Sequence, residues 1–217
     1  MSTASSVASD STIVVHHQDI LVNKIYKKIF LSYDNHCSII SQSMKLLKLP
    51  QLKQIYEYDC GATVLQSVLG YFGIEVKPHK IRKHAGTNKD GTLIVGITTT
   101  LSKHGLKHTS KQMTIKEVVD FLKQGIPVIL LLQAWTTKKN VNWENDWSDG
   151  HYVVAIGYKG KKMIFADPWS FTHTFLSFDE LEKRWHDKDP RGKKHIHWGI
   201  AVYGQKPAID KKLVHMD

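Results

Sequence analysis

Four residues of this chain carry the side chains that acyl transfer through a sulfur nucleophile requires: Gln54, Cys60, His151 and Asp167. A thiolate can attack a carbonyl carbon once an imidazole has taken its proton, and the same imidazole later protonates the leaving group. A carboxylate beside the imidazole holds it in the right tautomer and favours its charged form. The oxyanion that develops needs donors, and the Gln54 side-chain amide with the Cys60 backbone N–H could supply two. Each role is filled once, in the order Gln, Cys, His, Asp.

The elements that must position these residues can be read from local pattern. Cys60 precedes an apolar run, 62–72, in which Val64, Leu65, Val68, Leu69 and Phe72 recur at the spacing of one buried helical face. A helix N-terminus offers unpaired N–H groups and the positive end of the macrodipole, which stabilise a sulfur anion. Asp59 is expected to be the N-cap and Gly61 to leave room beside the sulfur, so both are expected to border the substrate cleft. Pro50 sets off a short segment that delivers Gln54 to the same neighbourhood.

His151 opens a strand-like run, 150–158, and a second run, 163–167, follows the turn Lys159-Gly160-Lys161-Lys162. If Tyr158 faces Lys162, His151 lies opposite Trp169 and Asp167 becomes its diagonal neighbour on the same face. Trp135, Trp143 and Trp147, in the polar loop ahead of Gly150, are expected with Gly150 to wall the cleft. Without such partners, a lone cysteine before a helix is a small buried hydrophobe.

Elsewhere, Gly73 should end the Cys60 helix, 74–76 should be extended, and 80–84 should form a helical turn. A helix over 92–104 should end at Gly105. Thr114-Ile115-Lys116-Glu117 and Ser177-Phe178-Asp179-Glu180 are capping boxes that open helices through Lys123 and Trp185. A buried strand is expected over 128–133 and a last strand over 198–203.

Composition narrows the class. The 217 residues suffice for one domain with an appendage, and the 41% hydrophobic, 23% charged composition suits a globular protein. The longest apolar run, 126–132, is too short to span a bilayer, and the Ser/Ala/Thr-rich start lacks the features of a secretory signal. Two cysteines, Cys37 and Cys60, are too few for a disulfide framework or a Cys-rich zinc site, so a cytoplasmic location is expected. The formal charge of +10 is scattered in lysine pairs, a solvated basic surface with no nucleic-acid partner implied. His195 and His197 have a spacing that permits metal ligation but lack further ligands, and His16 and His17 point apart in any regular structure. No metal and no cofactor is therefore expected.

Taken together, Gln54, Asp59-Cys60-Gly61, the helix ending Gly70-Tyr71-Phe72-Gly73, Asp90-Gly91-Thr92, His151-Tyr152-Val153-Val154 and Asp167-Pro168 resemble the papain-like bacteriocin-processing cysteine peptidases, peptidase family thirty-nine. The resemblance runs from about residue 49 to 203. It implies an α+β, papain-like fold: a helical part with the Cys helix packed on an antiparallel sheet bearing the His and Asp. It also implies Cys60 as nucleophile, His151 as general base, Asp167 as its orienter and Gln54 as oxyanion residue.

The expected organisation is an N-terminal extension, 1–46, with a loose tail and an amphipathic helix carrying Ile20, Leu21, Ile25, Ile29 and Phe30. A peptidase domain, 47–205, and a C-terminal tail, 206–217, follow. Family members cleave leader peptides after a double glycine as domains of exporters. This chain carries no exporter segments, so a stand-alone member is implied. The expected function is a thiol hydrolase of peptide or isopeptide bonds, with Gly-Gly sites in leader peptides or ubiquitin-like C-termini as substrates. Two alternatives keep the same residues: acyl transfer or amide hydrolysis including deamidation, and an inactive peptidase-like binding module.

Overall fold

The structure is a computed structural model that describes residues 44–208; His16, His17, Cys37, the expected helix at 20–30 and residues 209–217 of the tail lie outside the described residues. The chain divides into units of residues 1–41 and 42–217, and every element below belongs to the second.

The sheet is built on β2 (Val128–Gln133), whose six residues are all buried. A strand covered on both faces reads as a continuous apolar run rather than an alternation. Beside it lies β3 (Gly150–Lys159), and four further strands, β1 (Lys107–Gln112), β4 (Lys162–Ala166), β5 (Thr174–Ser177) and β8 (Trp198–Tyr203), complete an antiparallel sheet. The strand order is β1-β8-β2-β3-β4-β5. A short ribbon, β6 (His186–Lys188) paired with β7 (Lys194–Ile196), forms a second sheet that packs on the ends of β2 and β3.

Alternate residues serve two layers. Ile129, Leu131, Tyr152, Val154 and Ile156 share one core with α1 (Cys60–Tyr71), α2 (Pro78–Ala85) and α3 (Ile94–Lys103). The other face is covered by α4 (Ile115–Lys123) and α5 (Phe178–Arg184), which contribute Val118, Val119, Leu122 and Leu181. Both capping boxes form as expected, Thr114 with Glu117 and Ser177 with Glu180.

Several expectations are corrected. The turn at 80–84 is a full helix, because Pro78 pre-forms its first turn and left-handed Gly86 closes its last. Asp59 makes no side-chain cap; its carboxylate turns away to Arg82, 3.0 Å distant. Strands β1, β5, β6 and β7 carry no periodic apolar signal; β1 is a polar edge strand paired with β8 alone. At the hairpin, Lys159 rather than Tyr158 faces Lys162. A bulge between Ala155 and Gly157 then restores the expected register, so that Ala155 faces Phe165 and Val154 faces Ala166. Leu46 packs directly over Gly157, where a side chain would collide with it, and the Leu47 N–H donates to the Ile156 carbonyl at 2.9 Å.

Candidate active site

Cys60 is the first residue of α1 and is 8% exposed. The first turn of a helix has no intrahelical acceptors for its amides, so they point out of the end of α1 at which Cys60 sits. The segment ahead of it is tied to the sheet. The Gln54 N–H donates to the Pro168 carbonyl at 2.8 Å, and Gln51 Nε2 donates to the carbonyls of Asp167, 3.0 Å, and Ser170, 2.9 Å. These bonds fasten the approach to α1 against the loop that follows β4, which brings the helical and sheet residues together.

His151, on β3, is buried, and its Nε2 lies 2.8 Å from Asp167 Oδ1. Cys60 also acts on the imidazole and favours its charged form. With Nε2 engaged by the carboxylate, Nδ1 is the nitrogen left for the sulfur. Burial opposes the charge on His151, but the bond to Asp167 and the influence of Cys60 outweigh it and push the imidazole up to about 9. For Asp167 burial acts to raise the carboxyl, yet the bond from His151 and further donors hold it below its ordinary value. Those donors are numerous: Trp169 N–H reaches Oδ1 at 2.9 Å, while Trp135 Nε1 and Thr174 Oγ1 each reach Oδ2 at 3.0 Å. Four donors on one carboxylate leave little freedom for it to rotate.

Gln54 is buried, and its Nε2 donates to the carbonyls of Tyr56 at 2.9 Å and Glu57 at 3.1 Å, while Oε1 is buried without a partner. Exchanging the amide oxygen and nitrogen would set an oxygen against two carbonyls, so the donor assignment is the favoured one.

A cleft of about 80 Å³ opens beside Cys60, lined among others by Thr92, Gly150, Tyr152 and Asp187. Gly61 is packed closely beneath: a Cβ there would lie 2.6 Å from Thr92 Cβ and 3.2 Å from Tyr152 Cδ2. Gly150 is close to the Asp187 carboxylate, which any Cβ would displace. Burial pushes Asp187 up to about 6, although Gln133 Nε2 donates to it at 2.9 Å.

Of the expected cleft residues, Gly150 lines the opening and Gly61 abuts its wall, whereas Asp59 turns to Arg82. Trp143 and Trp147 are placed elsewhere: Arg184 stacks on Trp143 at 3.9 Å, and Trp147 packs on His186 at 4.3 Å. Trp135 is the loop tryptophan that reaches the His151–Asp167 pair. Thr92 lies in the Asp90-Gly91-Thr92 motif but was given no place in the cleft, and Asp187 had no signal, since it belongs to no periodic or motif-bearing segment. His195 and His197 go to different neighbours, Trp198 and Trp185. Among the described residues no group of three or more His, Cys, Asp or Glu is arranged to hold a metal ion, and no helix is long and apolar enough to cross a membrane.

A helix presenting a cysteine at its N-terminus to a His–Asp pair on an antiparallel sheet defines the papain-like class of thiol peptidase folds. The profile of the Peptidase C39 family matches residues 48–188, and the chain belongs to that family. Peptidase domains of this family are cysteine peptidases. The chain is 28% identical over 112 residues, 52% of its length, to the lactococcin-G-processing and transport ATP-binding protein LagD of Lactococcus lactis subsp. lactis. That stretch is 14% of LagD, so the match spans about one seventh of the relative's length.

Among solved structures, the peptidase domain of Streptococcus ComA, a bi-functional ABC transporter, is 26% identical with a TM-score of 0.54, covering 73% of this chain and 99% of that one. A double glycine motif protease from an AMS/PCAT transporter, solved in complex with its leader peptide, shares the fold at 20% identity and a TM-score of 0.54, covering 75% of this chain and 97% of that one.

Proposed function

We propose that the protein is a cysteine peptidase in which Cys60 is the nucleophile, His151 the general base and Asp167 its orienter. The observation that carries this reading is the buried imidazole of His151, bonded to Asp167 at 2.8 Å and held in its charged form by Cys60 at the head of α1 as well. The sulfur attacks the scissile carbonyl, and the negative charge passes to the oxygen. The imidazolium then protonates the departing amine, leaving an acyl-enzyme that water hydrolyses with His151 acting again as base. The Cys60 N–H at the head of α1 is one oxyanion donor. Gln54 supplies the second when substrate draws its amide away from the Tyr56 and Glu57 carbonyls.

The substrate is a peptide or protein cleaved after Gly-Gly, as the family relationship suggests. The small cleft beside Cys60 accords with residues lacking side chains at the scissile bond. Exposed Ile55 and Tyr56 ahead of Cys60, with Trp169 and Phe171 after Asp167, offer apolar surface to the rest of a peptide. The test is hydrolysis of Gly-Gly-containing peptides and ubiquitin-like proteins, with labelling by a thiol-reactive peptide probe. Cys60→Ala and His151→Ala should abolish turnover while keeping the fold. Undiminished hydrolysis by Cys60→Ala, or labelling of Cys60 no faster than Cys37 at neutral pH, would refute the reading.

A further inference from the structure

Trp135 stands where neither burial nor turn chemistry accounts for a tryptophan. β2 has ended at Gln133, and Ala134 makes one last sheet-like bond from its N–H to the Asp149 carbonyl, 3.0 Å. The chain then turns with Trp135 at φ +59°, in the left-handed region where glycine or asparagine is the usual occupant and a bulky side chain is an outlier. The strained conformation does not bury the ring, which remains 48% exposed. It places Nε1–H 3.0 Å from Asp167 Oδ2, with the indole beside the Trp169 ring, 6.4 Å between centroids. Strain retained at such a point indicates a function that the conformation serves.

We propose that Trp135 is a positioning residue, holding the Asp167 carboxylate in the orientation that directs Oδ1 at His151. The inference rests on the reading of Cys60, His151 and Asp167 as the reacting set. An indole N–H only donates, so it fixes Oδ2 as an acceptor and favours the ionised carboxylate. The Thr174 hydroxyl, also 3.0 Å from Oδ2, completes the grip but can donate or accept, and so cannot impose the charge by itself. With Oδ2 anchored, the carboxylate cannot rotate about its last bond, and the 2.8 Å contact to His151 Nε2 is kept. The groups that act on His151 are Asp167 from the loop after β4 and Cys60 from α1, so loosening the first leaves burial less opposed.

The experiment is an NMR titration of the full chain labelled with ¹³C at histidine Cε1, His151 being assigned from the signal lost in His151→Ala. Trp135→Phe keeps an aromatic ring but removes the donor, and should lower the His151 midpoint by roughly one pH unit, the effect of losing one charge-assisted bond. Thr174→Val should lower it in the same direction, and Thr174→Ser should leave it at the wild-type value. In the unaltered protein the Trp135 indole N–H resonance should move as His151 titrates, which needs no variant.

An unchanged or raised midpoint in Trp135→Phe, or an indole resonance that stays flat, overturns the proposal. If Asp167→Asn lowers the midpoint while Trp135→Phe does not, Trp135 alone is refuted. If the wild-type midpoint lies near the ordinary 6.5, the reading of the reacting set falls and this inference with it.

Discussion

Replacing Asp167 by Asn tests the site where its geometry is most demanding. Oδ1 accepts from His151 Nε2 and the Trp169 N–H, and Oδ2 accepts from Trp135 Nε1 and Thr174 Oγ1. An amide has one acceptor oxygen, so whichever way the substituted side chain turns, its NH₂ meets an N–H donor from Trp169 or Trp135. The imidazolium loses its counter-charge at the same time, and burial then drives His151 down from about 9 to 6.5 or below.

A group whose folded pKa is raised stabilises the protein fully below its unfolded value, and that contribution is lost as pH rises through the folded one. The separation between 6.5 and about 9 corresponds to about 3 kcal/mol, present at pH 6 and gone above pH 9. Unfolding by urea at pH 6 and at pH 9.5 should therefore show the stability gap between wild type and Asp167→Asn shrinking by about 3 kcal/mol. Ionisations common to both proteins cancel in the comparison. At pH 7.5 the variant should retain about a hundredth or less of wild-type hydrolysis, because the imidazole, although neutral, has lost the carboxylate that orients it and stabilises the charge it takes on with the sulfur's proton. A gap that stays constant within about 1 kcal/mol across that range, or turnover equal to wild type, would refute the reasoning.

Two further perturbations probe how Cys60 is held. Arg82→Ala strands the Asp59 carboxylate, 2% exposed, without its cation and should cost about 3–5 kcal/mol in chemical denaturation. The double variant Asp59→Asn, Arg82→Met should recover most of it, and a single-variant loss below about 1 kcal/mol would contradict the buried pair. Gly61→Ala drives a Cβ to 2.6 Å from Thr92 Cβ, whose hydroxyl is fixed by Thr87 at 2.8 Å. It should lower stability by about 1–3 kcal/mol and slow alkylation of Cys60; unchanged melting and labelling would show that the wall yields freely.

The elements that carry the proposed reacting groups were legible because their signals are local. The apolar spacing of Val64, Leu65, Val68 and Leu69 marks a helix face whatever it packs against, and so places Cys60 at a helix head. The strand composition of β3 and the turn after Lys159 place His151 and Asp167 on one hairpin. The register was expected one residue off at the turn and was restored by a bulge, which no residue pattern signals, because Leu46 packs on Gly157 and the Leu47 N–H takes the Ile156 carbonyl. Polar β1 and the short β5, β6 and β7 were not legible, since their pairing partners rather than their own composition make them strands.

At the site, residue types and order in the sequence alone pointed to Cys60, His151, Asp167 and Gln54 as the candidate set. The tertiary structure decided which neighbours serve it. Asp59 chose Arg82 over the helix end, the Gln54 amide rests on two backbone carbonyls, and Asp187 entered the cleft from a distant ribbon. Trp135, not Trp143 or Trp147, reached Asp167. The physical reason is that periodicity records which face of a segment is buried, whereas a hydrogen bond depends on the direction and distance of a partner fixed by the whole fold.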